Sequence, residues 1–382
     1  MIIRIAALLL LVMLAGCSTV SGWFGSGSDV AGKEPAKLVE FKQTATFKVR
    51  WHSKIGGSGN SILQPVVTSD AVYAANAKGE LFRLDPATGN QVWRIDSGFT
   101  ISAGVGVGEG VVMVGGGKGQ LAAFAVDGKL LWKTKVSSEV LNVAKIVDGI
   151  ALVRTADGRL SGIDVKDGKR LWVYEQAMPP LTVRSHVGVA VERGTVFAGF
   201  PAGKLAAISL SSGIVIWETV VSQPHGNTEL ERISDITSLP VLDDEQVCAV
   251  AFQGRVACYG LAQGNLLWSR DISSDKGMTL FHNYIYITNT SGAVLALDKT
   301  SGSSAWKNDQ LLMRQSSAPY AFGDYLVVGD FEGYMHALSR EDGRMLARLK
   351  TDFSPILTAP VELDGGFLVQ TREGNLYSVV LH

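Results

Sequence analysis

The sequence predicts an all-β protein: an eight-bladed β-propeller of four-stranded antiparallel blades, its ring closed by pairing of an N-terminal with a C-terminal strand. Three observations predict it. One glycine recurs at roughly one blade's length, a tryptophan follows a second glycine at a fixed distance, and the last copy stops before its own outer strand.

The first glycine stands at Gly79, Gly119, Gly158, Gly203, Gly254, Gly292, Gly333 and Gly374, at intervals of 38 to 51 residues, which makes eight copies. An apolar run precedes it, as in Val111 to Val114, Val196 to Ala198, Ile285 to Ile287 and Leu326 to Val328. An alternating run such as Leu81 to Leu84 follows, so each copy reads as a hairpin.

Nine or ten residues on, a second glycine closes a turn at Gly89, Gly128, Gly168, Gly213, Gly264, Gly302 and Gly343. The clearest turns are Asp85 to Gly89 and Asp298 to Gly302, where the carboxylate accepts nearby backbone N–H groups and glycine supplies a positive φ. These aspartates are therefore structural. Four residues beyond the second glycine stand Trp93, Trp132, Trp172, Trp217, Trp268 and Trp306, with Ala347 at that place in the seventh copy. Trp51 has no glycine turn before it but ends a comparable strand.

The eighth copy ends at His382 without an outer strand, and Phe47 to Trp51 has the pattern to complete it. Closure of this kind removes two exposed strand edges. No window carries a capped 3.6-residue apolar period, so almost no helix is expected.

Composition agrees with a large buried core: 46% hydrophobic, 8% aromatic and 19% charged, with 43 Gly and 11 Pro. Lys plus Arg number 35 against 36 Asp plus Glu, and without the leader's Arg4 the balance is 34 to 36. Nothing basic points to nucleic acid.

The N-terminus is the most specific local signal. Arg4 precedes an apolar run, Ile5 to Leu14, of signal-peptide length and too short to span a bilayer. It ends in Leu14, Ala15, Gly16 and Cys17, which resembles the lipobox of bacterial lipoproteins. That resemblance implies a signal peptide over 1–16 and a lipidated Cys17 as the first mature residue. The several acyl chains of that modification hold a protein firmly, where one chain holds it marginally. Ser18 stands where an inner-membrane retention signal has Asp, which implies the outer membrane's periplasmic face. Residues 17–44 read as a flexible tether, with Gly22, Gly25, Ser26, Gly27, Ser28 and Gly32 in its Ser18 to Glu40 stretch, and 45–382 as the propeller. About 25 residues of such chain span roughly 25 to 30 Å.

The Asp-x-x-Thr-Gly-x-x-x-Trp core resembles the tryptophan-docked, PQQ-like propeller repeat, and it covers most of the chain after residue 45. In such repeats the Trp of one blade packs toward its neighbour, burying on the order of 200 Å². Size, lipobox and tether together look like the BamB-like lipoproteins that assist outer-membrane protein assembly. The same repeat also builds quinoprotein dehydrogenases, which makes a PQQ-type enzyme or small-molecule-binding periplasmic propeller the alternative. Those enzymes hold quinone beside a disulfide of adjacent cysteines and bind Ca²⁺ on inserted residues. Cys17, Cys248 and Cys258 include no adjacent pair, so no cofactor is expected.

Cys248 and Cys258 flank the Gln253-Gly254 turn, where they read either as a cross-strand disulfide or as two buried thiols. The glycine-rich stretch from Gly104 to Gly119 lacks the Gly-Lys-Ser/Thr and helix of a phosphate loop. Histidines 52, 186, 225, 282, 336 and 382 show no metal-ligand spacing, and no Gly-x-Ser-x-Gly elbow or paired-acid signature is present. A site assembled from distant residues stays open at this level.

Two connections exceed the repeat's usual length and should carry function. That after Trp172 holds Met178, Pro179, Pro180, Leu181, Val183 and Arg184. That after Trp217 runs through Gln223, His225, Asn227, Glu229, Glu231 and Arg232 to Asp235. Strand order puts both on one face, flanking blade four. Apolar side chains, an Arg and an acidic rim suit a protein contact. BamB-like lipoproteins contact the periplasmic (POTRA) domains of the barrel-assembly protein BamA through Leu-x-Leu-Arg and Ser-Asp-x-Asp stretches. The resemblance therefore implies partner-binding roles for Leu181, Val183, Arg184 and Asp235, with Val183 and Thr237 departing from the pattern. It also implies membership of the BAM complex through BamA, and contact with unfolded outer-membrane proteins. A scaffold with a different partner is a third reading.

Overall fold

The computed structural model describes residues 34–382; the leader, Cys17 and the first part of the tether lie outside the described residues. From residue 45 onward the chain forms eight four-stranded antiparallel sheets. The blades span 66–96, 101–135, 140–175, 190–220, 241–270, 277–308 and 320–350, with strands a to d in chain order. The eighth takes strands a to c from Val361–Leu363, Gly366–Gln370 and Asn375–Leu381, and its strand d is Phe47–Lys54. The expected closure is present in register, Phe47 facing Leu381 and Lys54 facing Asn375. No helix occurs among the described residues.

The second and third strands of each blade are the buried ones, as in Val111–Gly116 and Gln246–Val250, while outer strands alternate exposed and half-buried. Eight apolar clusters form the core. Each joins two neighbouring blades, from Trp51 and Leu368 against Val72 and Phe82 to Phe47 and Phe367 against Val327 and Ala337. A core made only at junctions explains why the ring must close: an open array would leave two half-clusters wet.

The tryptophans do the joining. Among the described residues each indole Nε1–H donates to a carbonyl in the c–d turn of the next blade: Trp51 to Pro86 (2.9 Å), Trp93 to Val126 (3.0 Å), Trp132 to Val165 (2.8 Å) and Trp172 to Leu210 (2.7 Å). Trp217 to Leu261 (3.1 Å), Trp268 to Lys299 (2.8 Å) and Trp306 to Arg340 (2.8 Å) continue the series. The second glycine of the repeat lies flat against the ring; a Cβ on Gly213 would sit 2.7 Å from Trp172 Cδ2. That turn is held as expected, with Asp85 Oδ1 accepting the N–H groups of Ala87 (3.0 Å) and Thr88 (2.8 Å).

Ala347 is the exception, and the fold explains it. A Trp there would dock on the c–d turn of the eighth blade, but that blade has none, because its strands c and d come from opposite ends of the chain. Ala45 and Phe47 pack there instead, led in by residues 36–44. Their composition suggests flexible tether, yet they run as an extended strap along strand d of blade seven. Ala36 N–H donates to Leu312 O (2.8 Å), Thr44 N–H to Leu346 O (2.9 Å), and the Arg348 guanidinium lies 5.0 Å over the Phe41 ring. Under this strap Leu346 is 7% exposed, whereas the equivalent Leu171 and Ile216 are 50% and 53% exposed.

Strand alternation sorts the connections. The d–a loops and b–c turns share one face of the disc, and the a–b and c–d turns share the other.

Candidate functional site

The d–a face carries the two long connections. They span 176–189 and 221–240, against four-residue links at 97–100 and 136–139; the links at 309–319 and 351–360 are also long. Neither of the two can lie flat without support for its backbone, and side chains supply it.

Asp235 is the main support. Only 2% exposed, it accepts the N–H of Val183 through Oδ2 (2.7 Å) and the N–H of Ala202 through Oδ1 (3.0 Å). One carboxylate thereby ties the second loop to the first and to the b–c turn of blade four. Burial pushes its pKa up, and the two N–H donors pull it back only in part. Ser234 and Ile236 are buried beside it. The second stretch thus faces inward, and its job is to position the first.

The first stretch faces outward. Leu181 is 43% exposed and Met178 40%, while Val183 is half-buried. Arg184 is exposed and steadied by Glu139, whose Oε1 lies 2.5 Å from its Nη2. Two residues on, the loop is pinned where His186 Nδ1 meets Leu141 O (3.0 Å) and Asn142 Nδ2 donates to His186 O (3.0 Å). Burial depresses the His186 pKa, so the imidazole is neutral there.

The tip of the second loop is one reciprocal turn. Glu231 Oε2 accepts the N–H groups of Asn227 (2.7 Å) and Thr228 (3.1 Å), and Thr228 Oγ1 accepts the N–H of Glu231 (3.2 Å). This is the bonding of a capping box, and it holds Leu230 outward at 66% exposure. Leu239 is exposed at the loop's far end. Between the loops opens a cavity of about 250 Å³ walled by Leu141, Met178, Val183, Phe200 and Ile236.

Of the residues singled out from sequence, Leu181, Val183 and Arg184 come together on one loop, with Asp235 beneath them. Glu139, Arg154 and Phe200 were not singled out, since they lie in a short link, a strand and a b–c turn of ordinary length and reach the site only through folding. Cys248 and Cys258 lie apart from it in blade five, directly opposite in register and joined as a disulfide with Cα atoms 4.0 Å apart. Among the described residues no three His, Cys, Asp or Glu side chains converge as metal ligands. What the geometry offers is a stiff, half-apolar platform on which the Arg184 cation is fixed.

The sequence matches a family described as outer membrane protein assembly factor BamB, over residues 25–98 and 77–308. It is 43% identical over 388 residues to an outer membrane protein assembly factor BamB from Nitrosomonas eutropha, covering 99% of this chain and 95% of that protein. The fold is similar to the crystal structure of BamB from Moraxella catarrhalis, with a TM-score of 0.82 at 24% identity, covering 88% of this chain and 100% of that one. It is also similar, at 14% identity and a TM-score of 0.73, to a quinohemoprotein alcohol dehydrogenase from Comamonas testosteroni, covering 87% of this chain and 76% of that enzyme.

Proposed function

The chain belongs to the BamB family of outer membrane protein assembly factors, and from that premise we propose that it is a non-enzymatic scaffold of the outer-membrane β-barrel assembly machinery. It docks on the periplasmic domains of BamA and assists folding and insertion of outer-membrane proteins. A lipid on Cys17 anchors it to the outer membrane, facing the periplasm.

One observation carries the docking surface: Asp235 locks two long loops of one face together, so that Leu181 and Arg184 stand exposed on a backbone that is already ordered. Exposed apolar groups beside a fixed guanidinium are the chemistry of a binding hot spot. Prior ordering lowers the entropy lost on docking. The bonded Cys248 and Cys258 fit an oxidising compartment. They sit ten residues apart in a hairpin, unlike the adjacent pair that PQQ enzymes use.

Arg184→Ala and Leu181→Ala should each weaken capture of BamA's periplasmic domains by about 1 to 3 kcal/mol, read by pull-down and by titration. Both are exposed, so thermal unfolding should change little. Unchanged capture by both variants would remove this face from the interface.

A further inference from the structure

We propose that the cavity between the two loops receives a carboxylate borne on an apolar residue at the C-terminal end of a polypeptide, with Arg154 taking its charge. Arg154 is the penultimate residue of the second strand of blade three, Ile150–Thr155, and is only 7% exposed. Its guanidinium donates to the carbonyls of Gly199 and Val187 and lies 4.6 Å over the Phe200 ring. Among the described residues it has no salt bridge to Asp or Glu. Burial lowers its pKa to about 10, which leaves it charged at neutral pH.

Carbonyl dipoles orient such a cation without cancelling its charge, and buried charges are ordinarily paired. The other charged groups at the cavity are committed: Asp235 to the N–H groups of Val183 and Ala202, Arg184 to Glu139. Arg154 is therefore the lining charge without a counter-charge among the described residues, and an incoming anion would supply it.

The walls narrow the anion's carrier. About 250 Å³ holds roughly one large residue, and seven of the lining side chains are apolar. An internal Asp or Glu would bring chain on both sides through the mouth and leave the walls largely bare. A chain end brings a carboxylate and an apolar side chain on one residue, with one exit. This rests on the reading that the loop face docks polypeptide, though not on which partner it docks.

The test titrates the full mature protein with an acetylated tripeptide ending in Phe as the free acid, with its C-terminal amide, and with an amidated peptide carrying Glu internally. The free acid should bind about 10-fold or more tighter than the amide, the worth of a charged hydrogen bond. Arg154→Gln should erase that preference and Arg154→Lys keep part of it. Leu181→Ala, outside the cavity, should weaken partner capture yet leave the acid preference intact, which separates failure of this inference from failure of the docking surface. Equal binding of acid and amide, or none of either, would reduce Arg154 to a brace between Gly199 and Val187 and overturn the proposal. So would equal binding of the internal-Glu peptide. If Arg154→Gln does not fold, the acid and amide compared on the unaltered protein decide alone.

Discussion

A single carboxylate at Asp235 organises more of the docking face than any exposed residue on it. Asp235→Asn keeps the size but offers one acceptor oxygen where two N–H groups converge, and it turns an NH₂ donor toward the other. Stability should fall by about 1 to 3 kcal/mol in urea unfolding, and partner capture should fall with it although Leu181 and Arg184 are untouched. A variant that captures normally at normal stability would leave Asp235 no part in ordering the face. The most buried charge cluster lies elsewhere, in blade seven. There His336 Nε2–H donates to Asp330 Oδ2 (2.9 Å), Arg348 Nε donates to His336 Nδ1 (3.3 Å), and Arg314 Nε donates to Asp330 (2.8 Å). Burial holds the His336 pKa below its ordinary value despite Asp330. Burial also raises the Asp330 pKa, but His336, the Tyr334 N–H and Arg314 outweigh it and leave that pKa lowered. Below the usual histidine value of about 6.5 the unfolded chain therefore binds a proton that the folded chain refuses, so stability falls as pH drops from there; Asp330 adds the same sign further down, where carboxylates protonate. Melting temperature against pH should decline below about 6.5 in the native protein, and the decline should shrink in His336→Asn, with the remainder left to His186. The sequence disclosed Asp85 and Asp298 because their bonds are local. It hid the link of Arg154 to blade four and that of Asp330 to Arg314, which only folding supplies, although His336 and the Tyr334 N–H reach Asp330 within one hairpin.

At the scale of strands and hairpins, the one break in the tryptophan series is the best guide to the chain's path. Six repeats announce their docking residue by spacing, and the seventh substitutes Ala347, which is fully buried with Ala45 and Phe47. Restoring the repeat with Ala347→Trp should destabilise by about 1 to 3 kcal/mol or more through overpacking, whereas Trp172→Ala, which removes a docked indole, should cost about 3 to 5. A stabilised Ala347→Trp variant would mean that Ala45 and Phe47 leave that space open. The strap itself was not legible, because residues 36–44 carry neither an apolar period nor a repeat glycine. It is held by Arg348, Leu312 and Leu346, groups contributed by blade seven and the link before it. The blade-five hairpin was half legible: its turn placed Cys248 opposite Cys258, and only the pair's register turned proximity into a bond. Intact mass under non-reducing conditions should be two hydrogens below the dithiol mass. Reduction should lower stability by about 2 to 3 kcal/mol for so short a loop, and two free thiols in unreduced native protein would contradict the bridge.

For the molecule as a whole, the ring converts local repeats into one cooperative unit, and the seam decides whether that happens. Blade number and closure were readable because eight glycines counted the blades and Phe47 to Trp51 had the pattern of an outer strand without a blade of its own. The arrangement of the docking face was only partly readable, since two loops of one face acquire their relative position from Asp235 and from blade four between them. Truncation separates the contributions. Beginning the mature chain at residue 45 removes the strap and keeps Phe47–Lys54 against Asn375–Leu381, so a folded monomer of lowered stability is expected. Beginning it at residue 55 also removes Trp51 and Phe47, which belong to the clusters on the two sides of blade eight. It leaves the edge of Asn375–Leu381 unpaired in water, a template for other chains. That second protein should unfold in more than one step, elute as higher oligomers in size-exclusion chromatography, and recover a monomeric profile when a peptide of residues 45–54 is added. A monomer as stable as the first truncation, with no response to the peptide, would mean that seven blades and a partial eighth hold the disc without a closed seam.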